Sequence, residues 1–271
     1  MRFENKVAVI SGAAGTGAGA TGRVIVRKFL EEGAKVVLVD YNEEAGKAYE
    51  AELTEKGYDV LFVKCDISDE ENVKEVFAKT VEKYGKVDIL VNGAFFRGQD
   101  ASKIVDEPIE TWRKTMDVNV NGCFYMTRYA LPELCKQEKS AIVNITSTAS
   151  ILAEDDTSAY GTSKGAVNTF SKYVATQYGR FGVRCNAVLP GLILSPEMDA
   201  YFSQDPNMKA YFGTLKRQTV TQRTHSTGED IANAVLFFAD PVNEMITGQQ
   251  LEVSGGLSIH NPTWADLCGK F

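Results

Sequence analysis

The chain has 271 residues, of which 44% are hydrophobic and 24% are charged, and its formal net charge at pH 7 is −7. This composition is typical of an ordinary globular protein. The acidic balance argues against a surface for nucleic acid or anionic membrane, because either would need clustered Lys and Arg.

Neither a targeting segment nor a metal site is indicated. Residues 1–6 contain no apolar stretch, and no run in the chain approaches the roughly 18 apolar residues of a membrane span. The five cysteines and two histidines lack metal-ligand spacing, so we expect no metal ion. We expect the cysteines to be reduced thiols and the protein to be cytoplasmic.

Short runs of β-branched residues alternate with amphipathic segments of helix length. Strands are predicted at 6–10, 35–39, 60–65, 89–91, 141–145 and 183–188. Helices are predicted at 45–56, 71–84, 110–137 and 158–178, where apolar residues recur every three to four positions. This alternation predicts a single α/β domain with a doubly wound parallel sheet and helices on both faces. Ligands of such sheets bind beyond the carboxyl ends of the strands.

A glycine-rich stretch, "SGAAGTGAGATG" at residues 11–22, follows the first predicted strand and precedes a helix that extends to about Glu32. Glycines permit a tight turn and close approach of a ligand, and the amides at a helix start bind a pyrophosphate. We assign the turn to Gly12 and the close approach to Gly17 and Gly19. A merely flexible turn is the alternative, because a lone GxGxxG pattern is weak.

The second strand, "KVVLVD", ends at Asp40. An acidic residue at this position accepts hydrogen bonds from the adenosine ribose and repels a 2′-phosphate. No Lys or Arg lies in the glycine-rich stretch or directly after Asp40, so NAD is favoured over NADP. The alternative is a solvated strand end.

An ordered set of further motifs resembles the short-chain dehydrogenase/reductase family, over essentially the whole chain to Gly256. The resemblance implies a Rossmann-like fold and a nicotinamide-dependent oxidoreductase. The motifs, in chain order, are "CDI" (65–67), "VNGA" (91–94), "NVNG" (119–122), Ser147, "YGTSK" (160–164), "PGLILS" (190–195) and "ITGQQLEVSGG" (246–256).

The expected chemistry is proton transfer at an alcohol oxygen during hydride transfer. Tyr160 is the candidate acid/base, but an unperturbed phenol with a pKa near 10 is a weak base at neutral pH. Lys164, at i+4 on a helix, places an ammonium on the same face and favours the phenolate. Ser147 would polarise the substrate oxygen. The resemblance implies that Lys164 also binds the nicotinamide ribose and that Asn119 holds a water that relays protons.

The resemblance also implies cofactor contacts elsewhere. Asp66 would bind the adenine amino group with the Ile67 amide beside it, although a helix N-cap region would explain the same residues. Asn92 and Ala94 would line the cofactor ribose. Ile193 would offer backbone groups to the nicotinamide carboxamide, unless it is simply a buried core residue.

Two departures from the family pattern affect the site. The chain from Gly12 to Gly33 is about four residues longer than usual, so several registers of the glycines are open. Phe95 replaces a usual glycine near the nicotinamide side of the cleft, where it either shapes the substrate pocket or packs in the core.

Substrate choice in this family lies in the segment after "PG", here residues 194–227, which we expect to form a lid of one or two short helices. Its apolar residues suggest a bulky apolar or alicyclic secondary alcohol, such as a hydroxysteroid. A sugar or polyol is the competing substrate. The candidate pocket residues are Phe95, Phe96, Ile151, Met198 and Phe202.

We expect one NAD-binding domain at residues 1–256, followed by a C-terminal extension at 257–271. The helices predicted at 110–137 and 158–178 correspond to those that form dimer contacts in the family, which implies a homotetramer. A non-catalytic NAD-binding regulator is the alternative of another class. That reading predicts loss of Tyr160, Lys164 or Ser147, and all three are present.

Overall fold

The structure is a computed structural model that describes residues 1–15, 20–98, 103–153, 158–195, 198, 200–201 and 204–259. Across these ranges, no helix combines the length and apolar character that a bilayer span requires. In the same ranges, no three His, Cys, Asp or Glu side chains are grouped so that they could hold a metal ion.

Seven parallel strands form one sheet in the described part of the chain, in the spatial order β3-β2-β1-β4-β5-β6-β7. Every residue of the first and sixth strands is buried, as expected for strands covered on both faces. The strands are β1 Val7–Ser11, β2 Lys35–Asp40, β3 Val60–Lys64, β4 Ile89–Asn92, β5 Ser140–Ile145, β6 Val183–Pro190 and β7 Gln250–Val253.

Helices cover both faces of the sheet and form two apolar cores. Because side chains alternate along a strand, Ile10 lies in the core formed with α1, α2 and α8, whereas Val9 lies in the core formed with α3, α5 and α6. The predicted α/β, doubly wound parallel fold is confirmed. The helices are α1 Thr21–Glu31, α2 Glu43–Glu55, α3 Glu70–Tyr84, α4 Ile109–Met116, α5 Cys123–Leu134, α6 Ser158–Tyr178, α7 Pro206–Gln218 and α8 Gly228–Ala239.

The six predicted strands are all present, with ends shifted by at most two residues, but one predicted helix needs correction and one strand was not predicted. The helix predicted at 110–137 is present as a continuous helical segment from Ile109 to Leu134, but a π-helical turn at Asp117–Gly122 divides it into α4 and α5. The wider turn leaves the apolar spacing almost unchanged, so periodicity does not detect it. Strand β7 was not predicted, since it is short and its first two residues are exposed.

The order of the strands determines where a crevice opens along the carboxyl edge of the sheet. The chain crosses from β3 at one edge to β4 beside β1, so a crevice opens beyond the carboxyl ends of β1 and β4. The residues at and just after these ends, from Ser11 and Asp40 to Asn92 and Ser147, therefore surround one region.

Candidate active site

The turn after β1 adopts the conformation that a glycine allows. Gly12 has φ +71°, and a Cβ at this position would lie 2.8 Å from the backbone nitrogen of Ala94. The first turn of α1 follows at Thr21. Gly17 and Gly19 lie outside the described residues, so their contacts with a pyrophosphate stay predictions.

The Asp40 carboxylate lies beside this turn at the end of β2. It is 7% exposed, Ala14 N–H donates to its Oδ2 over 2.9 Å, and Asn42 N–H donates to its Oδ1 over 3.0 Å. Each carboxylate oxygen keeps a further lone pair as an acceptor. The two amides hold the carboxylate at the start of the glycine-rich loop, where a dinucleotide ribose would lie in this kind of sheet.

The end of β3 presents the pair that the resemblance assigned to adenine. Asp66 is exposed, and its Oδ1 accepts hydrogen bonds from the backbone N–H and the hydroxyl of Ser68, at 3.0 and 2.7 Å. Ile67 is buried beside it. The structure thus places both residues at the carboxyl edge, and their contact with adenine stays a prediction.

The loop after β4 is held by side chains from neighbouring strands. Asn92 Nδ2 donates to Asn144 Oδ1 at 2.8 Å and to Thr127 Oγ1 at 3.2 Å, whereas its buried Oδ1 has no hydrogen-bond partner among the described residues. The hydroxyl of Ser11 accepts the backbone N–H groups of Gly93 and Ala94. An unsatisfied buried acceptor and a glycine turn at the crevice fit a bound dinucleotide.

The Tyr160 and Lys164 side chains lie together on α6. Lys164 Nζ is 5.5 Å from the centroid of the Tyr160 ring and donates to the carbonyl oxygen of Ile145 over 2.9 Å. The lysine is 4% exposed, and burial lowers its pKa to about 8. The neighbouring Cys123 thiol, whose own pKa burial raises to about 12, opposes this shift slightly.

Ser147 follows β5 and begins a short 3-10 turn at Thr148–Ser150. Its Oγ accepts the N–H of Ala149 over 3.2 Å, which leaves the hydroxyl proton available as a donor. Its side chain is half-buried at the carboxyl edge of the sheet. Ser147 thus lies at the carboxyl edge of the sheet with a hydroxyl proton available, and its contact with a substrate oxygen stays a prediction.

Asn119 lies in the π-helical turn and is 2% exposed. Its Oδ1 accepts Phe96 N–H at 2.7 Å, and its Nδ2 donates to Phe96 O and to Ser163 Oγ, both at 2.9 Å. Both amide hydrogens are used, so a relay water would have to donate to the remaining lone pair of Oδ1. The side chain joins the loop after β4 to α6 between Tyr160 and Lys164.

Backbone geometry at Ile193 leaves its polar groups available. Ile193 bridges Ser226 in parallel, through Leu194 N–H to Ser226 O and Ser226 N–H to Leu192 O. In a parallel bridge of this kind, the N–H and C=O of the central residue point the other way. The half-buried Ile193 side chain also packs against the core, so both interpretations of this residue have a structural basis.

The candidate pocket residues have different environments. The Phe95 ring is 50% exposed and lies 6.1 Å from the Tyr160 ring, and Ile151 is 48% exposed after the Ser147 turn. The Phe96 ring lies 4.6 Å from the ammonium of Lys114. Met198 is half-buried at the start of the segment after "PG", and Phe202 lies outside the described residues.

One small cavity brings several of the predicted residues together, along with four that the sequence analysis did not select. The additions are Ser11, Cys123, Ile145 and Val167, and no spacing rule marks such residues as part of a cleft. The cavity is lined by Ser11, Ile67, Asn92, Ala94, Asn119, Cys123, Ile145, Lys164 and Val167.

Comparisons with known proteins agree with this geometry. A family model described as "Enoyl-(Acyl carrier protein) reductase" matches residues 17–258. The 7alpha-hydroxysteroid dehydrogenase of Bacteroides fragilis is 35% identical over 267 residues, covering 97% of this chain and 98% of that protein. The chain belongs to the short-chain dehydrogenase/reductase family, whose members are oxidoreductases that bind a nicotinamide cofactor.

Solved structures show the same fold with either cofactor. The crystal structure of NAD+-bound xylitol dehydrogenase matches with a TM-score of 0.85 and 29% identity, covering 94% of this chain and 100% of that one. A gluconate 5-dehydrogenase from Burkholderia cenocepacia, in complex with NADP and tartrate, matches with a TM-score of 0.85 and 25% identity, covering 96% and 98%.

Proposed function

We propose that this protein is an NAD-dependent oxidoreductase that interconverts a secondary alcohol and a ketone, with Tyr160 as the acid/base. The observation that supports this most directly is the buried Lys164 ammonium, 5.5 Å from the centre of the Tyr160 ring at the ligand-binding edge of the sheet. A positive charge close to the ring favours the phenolate form of the tyrosine, and the burial of Lys164 strengthens this effect.

The chain's own residues divide the proton chemistry among them. In the oxidation direction, Tyr160 Oη takes the proton of the alcohol, and in the reduction direction it returns one to the ketone oxygen. The Ser147 hydroxyl donates to the substrate oxygen and holds it in reach of Tyr160. Lys164 stabilises the phenolate, and Asn119 fixes α6 against the loop after β4 and holds the relay water.

The residues that would hold the cofactor are those at the strand ends. A bound nicotinamide dinucleotide would supply the hydride acceptor or donor. The turn at Gly12, with Gly17 and Gly19, would bind the pyrophosphate, and the Asp40 carboxylate would accept from the ribose hydroxyls and disfavour a 2′-phosphate. The remaining contacts would come from Asp66, Ile67, Asn92, Ala94, Tyr160, Lys164 and Ile193.

A bulky alicyclic substrate is favoured by the apolar side chains at the cleft. Phe95 lies beside Tyr160, and Ile151 follows the Ser147 turn, each with about half of its surface exposed. The similarity to a hydroxysteroid dehydrogenase supports this substrate class. The structural match to xylitol dehydrogenase supports a polyol as the second candidate.

Assembly and location complete the proposal. Phe124 on α5 and Tyr173 on α6 are 42% and 62% exposed, as expected if these helices contact other copies of the chain in a homotetramer. Cys65, Cys123, Cys135 and Cys185 are free thiols, which is consistent with a cytoplasmic location.

A substrate and cofactor panel tests this function. NADH or NADPH formation is followed with a 7α-hydroxysteroid, cyclohexanol and xylitol, and oxidation of the reduced cofactors is followed with an enoyl thioester. We expect turnover of the alicyclic alcohols with NAD. In the Asp40→Ser variant, we expect activity with NADP to rise relative to activity with NAD. Xylitol turnover alone would contradict the apolar pocket, and NADP preference in the unmodified protein would contradict the role of Asp40. NAD binding without turnover would instead favour a regulator.

A further inference from the structure

The turn that follows Ser147 is closed by hydrogen bonds to the serine's own carbonyl. Ser147 O accepts the backbone N–H of Ser150 at 3.1 Å and the Ser150 hydroxyl at 2.5 Å. These two bonds fill the acceptor capacity of the carbonyl and fix the peptide plane after Ser147. The same turn supplies the Ala149 N–H that orients Ser147 Oγ.

The turn is attached to α6 by Asn168. The Asn168 Nδ2 donates to Ser150 Oγ over 2.7 Å, so the hydroxyl proton of Ser150 is directed to the Ser147 carbonyl. Asn168 is 5% exposed, and its Oδ1 is a buried acceptor with no partner among the described residues. A buried amide that leaves one of its groups unsatisfied lowers the stability of the folded state.

Helix α6 therefore contacts both sides of the candidate reaction centre. One face presents Tyr160 and Lys164, and the adjacent face contacts the turn after Ser147. Gly161 allows this contact, because a Cβ there would lie 2.8 Å from the carbonyl oxygen of Ala149. The separation of Ser147 from Tyr160 then depends on α6 as well as on β5.

We infer that Asn168 is a positioning residue for the reaction: through Ser150, it sets the orientation of the Ser147 hydroxyl relative to Tyr160. This inference rests on the proposed function, in which Ser147 polarises the substrate oxygen. It assigns to Asn168 a role that none of the motifs in the sequence indicates. Misplacement of a catalytic group by about 1 Å lowers turnover without a proportionate loss of binding.

The test measures the effect of each substitution in two proteins, one with Ser147 and one without it, with NAD as cofactor and a 7α-hydroxysteroid as substrate. Asn168→Ala and Ser150→Ala are each made in the unmodified protein and in the Ser147→Ala variant, and kcat, KM and the midpoint of thermal unfolding are measured. In the unmodified protein, we expect Asn168→Ala to lower kcat about 5- to 50-fold with KM changed less than about threefold. In the Ser147→Ala background, the same change should cost less than about twofold in kcat.

A buried asparagine elsewhere provides the control. Asn186 is fully buried, donates to Ile246 O and accepts Gln249 N–H, both at 2.9 Å. Asn186→Ala should lower the unfolding midpoint and leave kcat unchanged. Ser150→Ala removes only a hydroxyl, so it tests the inference even if Asn168→Ala does not fold.

Three results would overturn the inference. One is an unchanged kcat in both Asn168→Ala and Ser150→Ala. Another is an equal loss of kcat with and without Ser147, which would mean a general effect on folding. The third is a Ser147→Ala variant whose kcat equals that of the unmodified protein. This result would contradict the role of Ser147 in the proposed function, and it is obtained before any Asn168 variant is measured.

Discussion

At the scale of single residues, the unusual group is the buried ammonium of Lys164. Its pKa falls from 10.5 to about 8 because burial penalises the charged form, and the carbonyl oxygen of Ile145 accepts one of its hydrogen bonds. A cation kept in such a place lowers the stability of the folded state. In the proposed mechanism the charge favours the Tyr160 phenolate, so stability and activity should respond to it in opposite directions.

The charge on Lys164 therefore predicts a pH-dependent stability. Between pH 8 and 10.5, Lys164 is protonated in the unfolded chain but neutral in the folded chain. The destabilisation caused by the buried charge is therefore complete below about pH 8 and declines as the pH rises to 10.5. Lys164→Met removes this destabilisation. The free energy of unfolding of the variant minus that of the unmodified protein should therefore fall by about 1 kcal/mol from pH 7 to pH 9. Urea unfolding at both pH values measures this difference.

The exposed Lys172 on the same helix supplies the control for that experiment. Lys172→Met is measured in parallel, as the control for replacing a lysine of this helix by methionine. A Lys164→Met variant whose relative stability is the same at pH 7 and pH 9 would contradict the lowered pKa of Lys164.

Residues differ in how far the sequence predicts their placement. Tyr160 and Lys164 share a helix, so their spacing alone puts the side chains on one face, as the structure has them. Ser11, Ser163 and Asn168 were not predicted as part of the site. Their hydrogen-bond partners come from other elements, and no local pattern of Ser or Asn encodes a tertiary contact.

At the scale of elements, the sequence predicts α6 more accurately than the two helices before it, α4 and α5. The bounds of α6 were predicted as the structure has them, because its apolar spacing is regular from Ser158 to Tyr178. The π-helical turn between α4 and α5 was not predicted. This turn places Asn119 against Phe96 and Ser163, and π-helical turns frequently occur at functional sites.

The two glycines of α6 that lie near the Ser147 turn give a matched pair of variants. Gly161→Ala would place a Cβ 2.8 Å from Ala149 O and should displace the turn, lowering both kcat and stability, the latter by about 1–2 kcal/mol. At Gly165 the nearest atom would be Ser150 O at 3.8 Å, an ordinary contact. Gly165→Ala should therefore leave kcat unchanged and gain up to about 1 kcal/mol from helix propensity.

Steady-state kinetics and urea unfolding of both variants check this prediction. Equal effects of the two substitutions would show that the contact between α6 and the turn does not govern the geometry of the reaction centre.

At the scale of the whole molecule, α5 and α6 leave apolar surface uncovered in the single chain. The Phe124 ring is 42% exposed although it packs against Phe170 at 6.0 Å. We expect light scattering in solution to give four times the chain mass of 29.7 kDa. Phe124→Asp should reduce the mass to that of a smaller assembly, because a charge would be buried at the contact.

The exposed Glu138, just beyond α5, provides the comparison: Glu138→Gln should leave the assembly intact. A monomeric mass for the unmodified protein would contradict the tetramer.

The parallel sheet and the strand ends at the crevice were predicted because alternating strands and helices permit few topologies. The glycine-rich loop after β1 was predicted to exist, but its register was not, since five glycines allow several conformations. The attachment of Asp40 to Ala14 depends on that conformation and was likewise beyond prediction.

The central claim is that Tyr160 moves the proton at the substrate oxygen, and Tyr160→Phe tests it most directly. This variant keeps the ring beside Phe95 and Lys164 and removes only the hydroxyl. With NAD and a 7α-hydroxysteroid, kcat should fall by about 10²- to 10⁴-fold while the NAD dissociation constant changes less than about threefold. A Tyr160→Phe protein that turns over the alcohol at the unmodified rate would contradict the account.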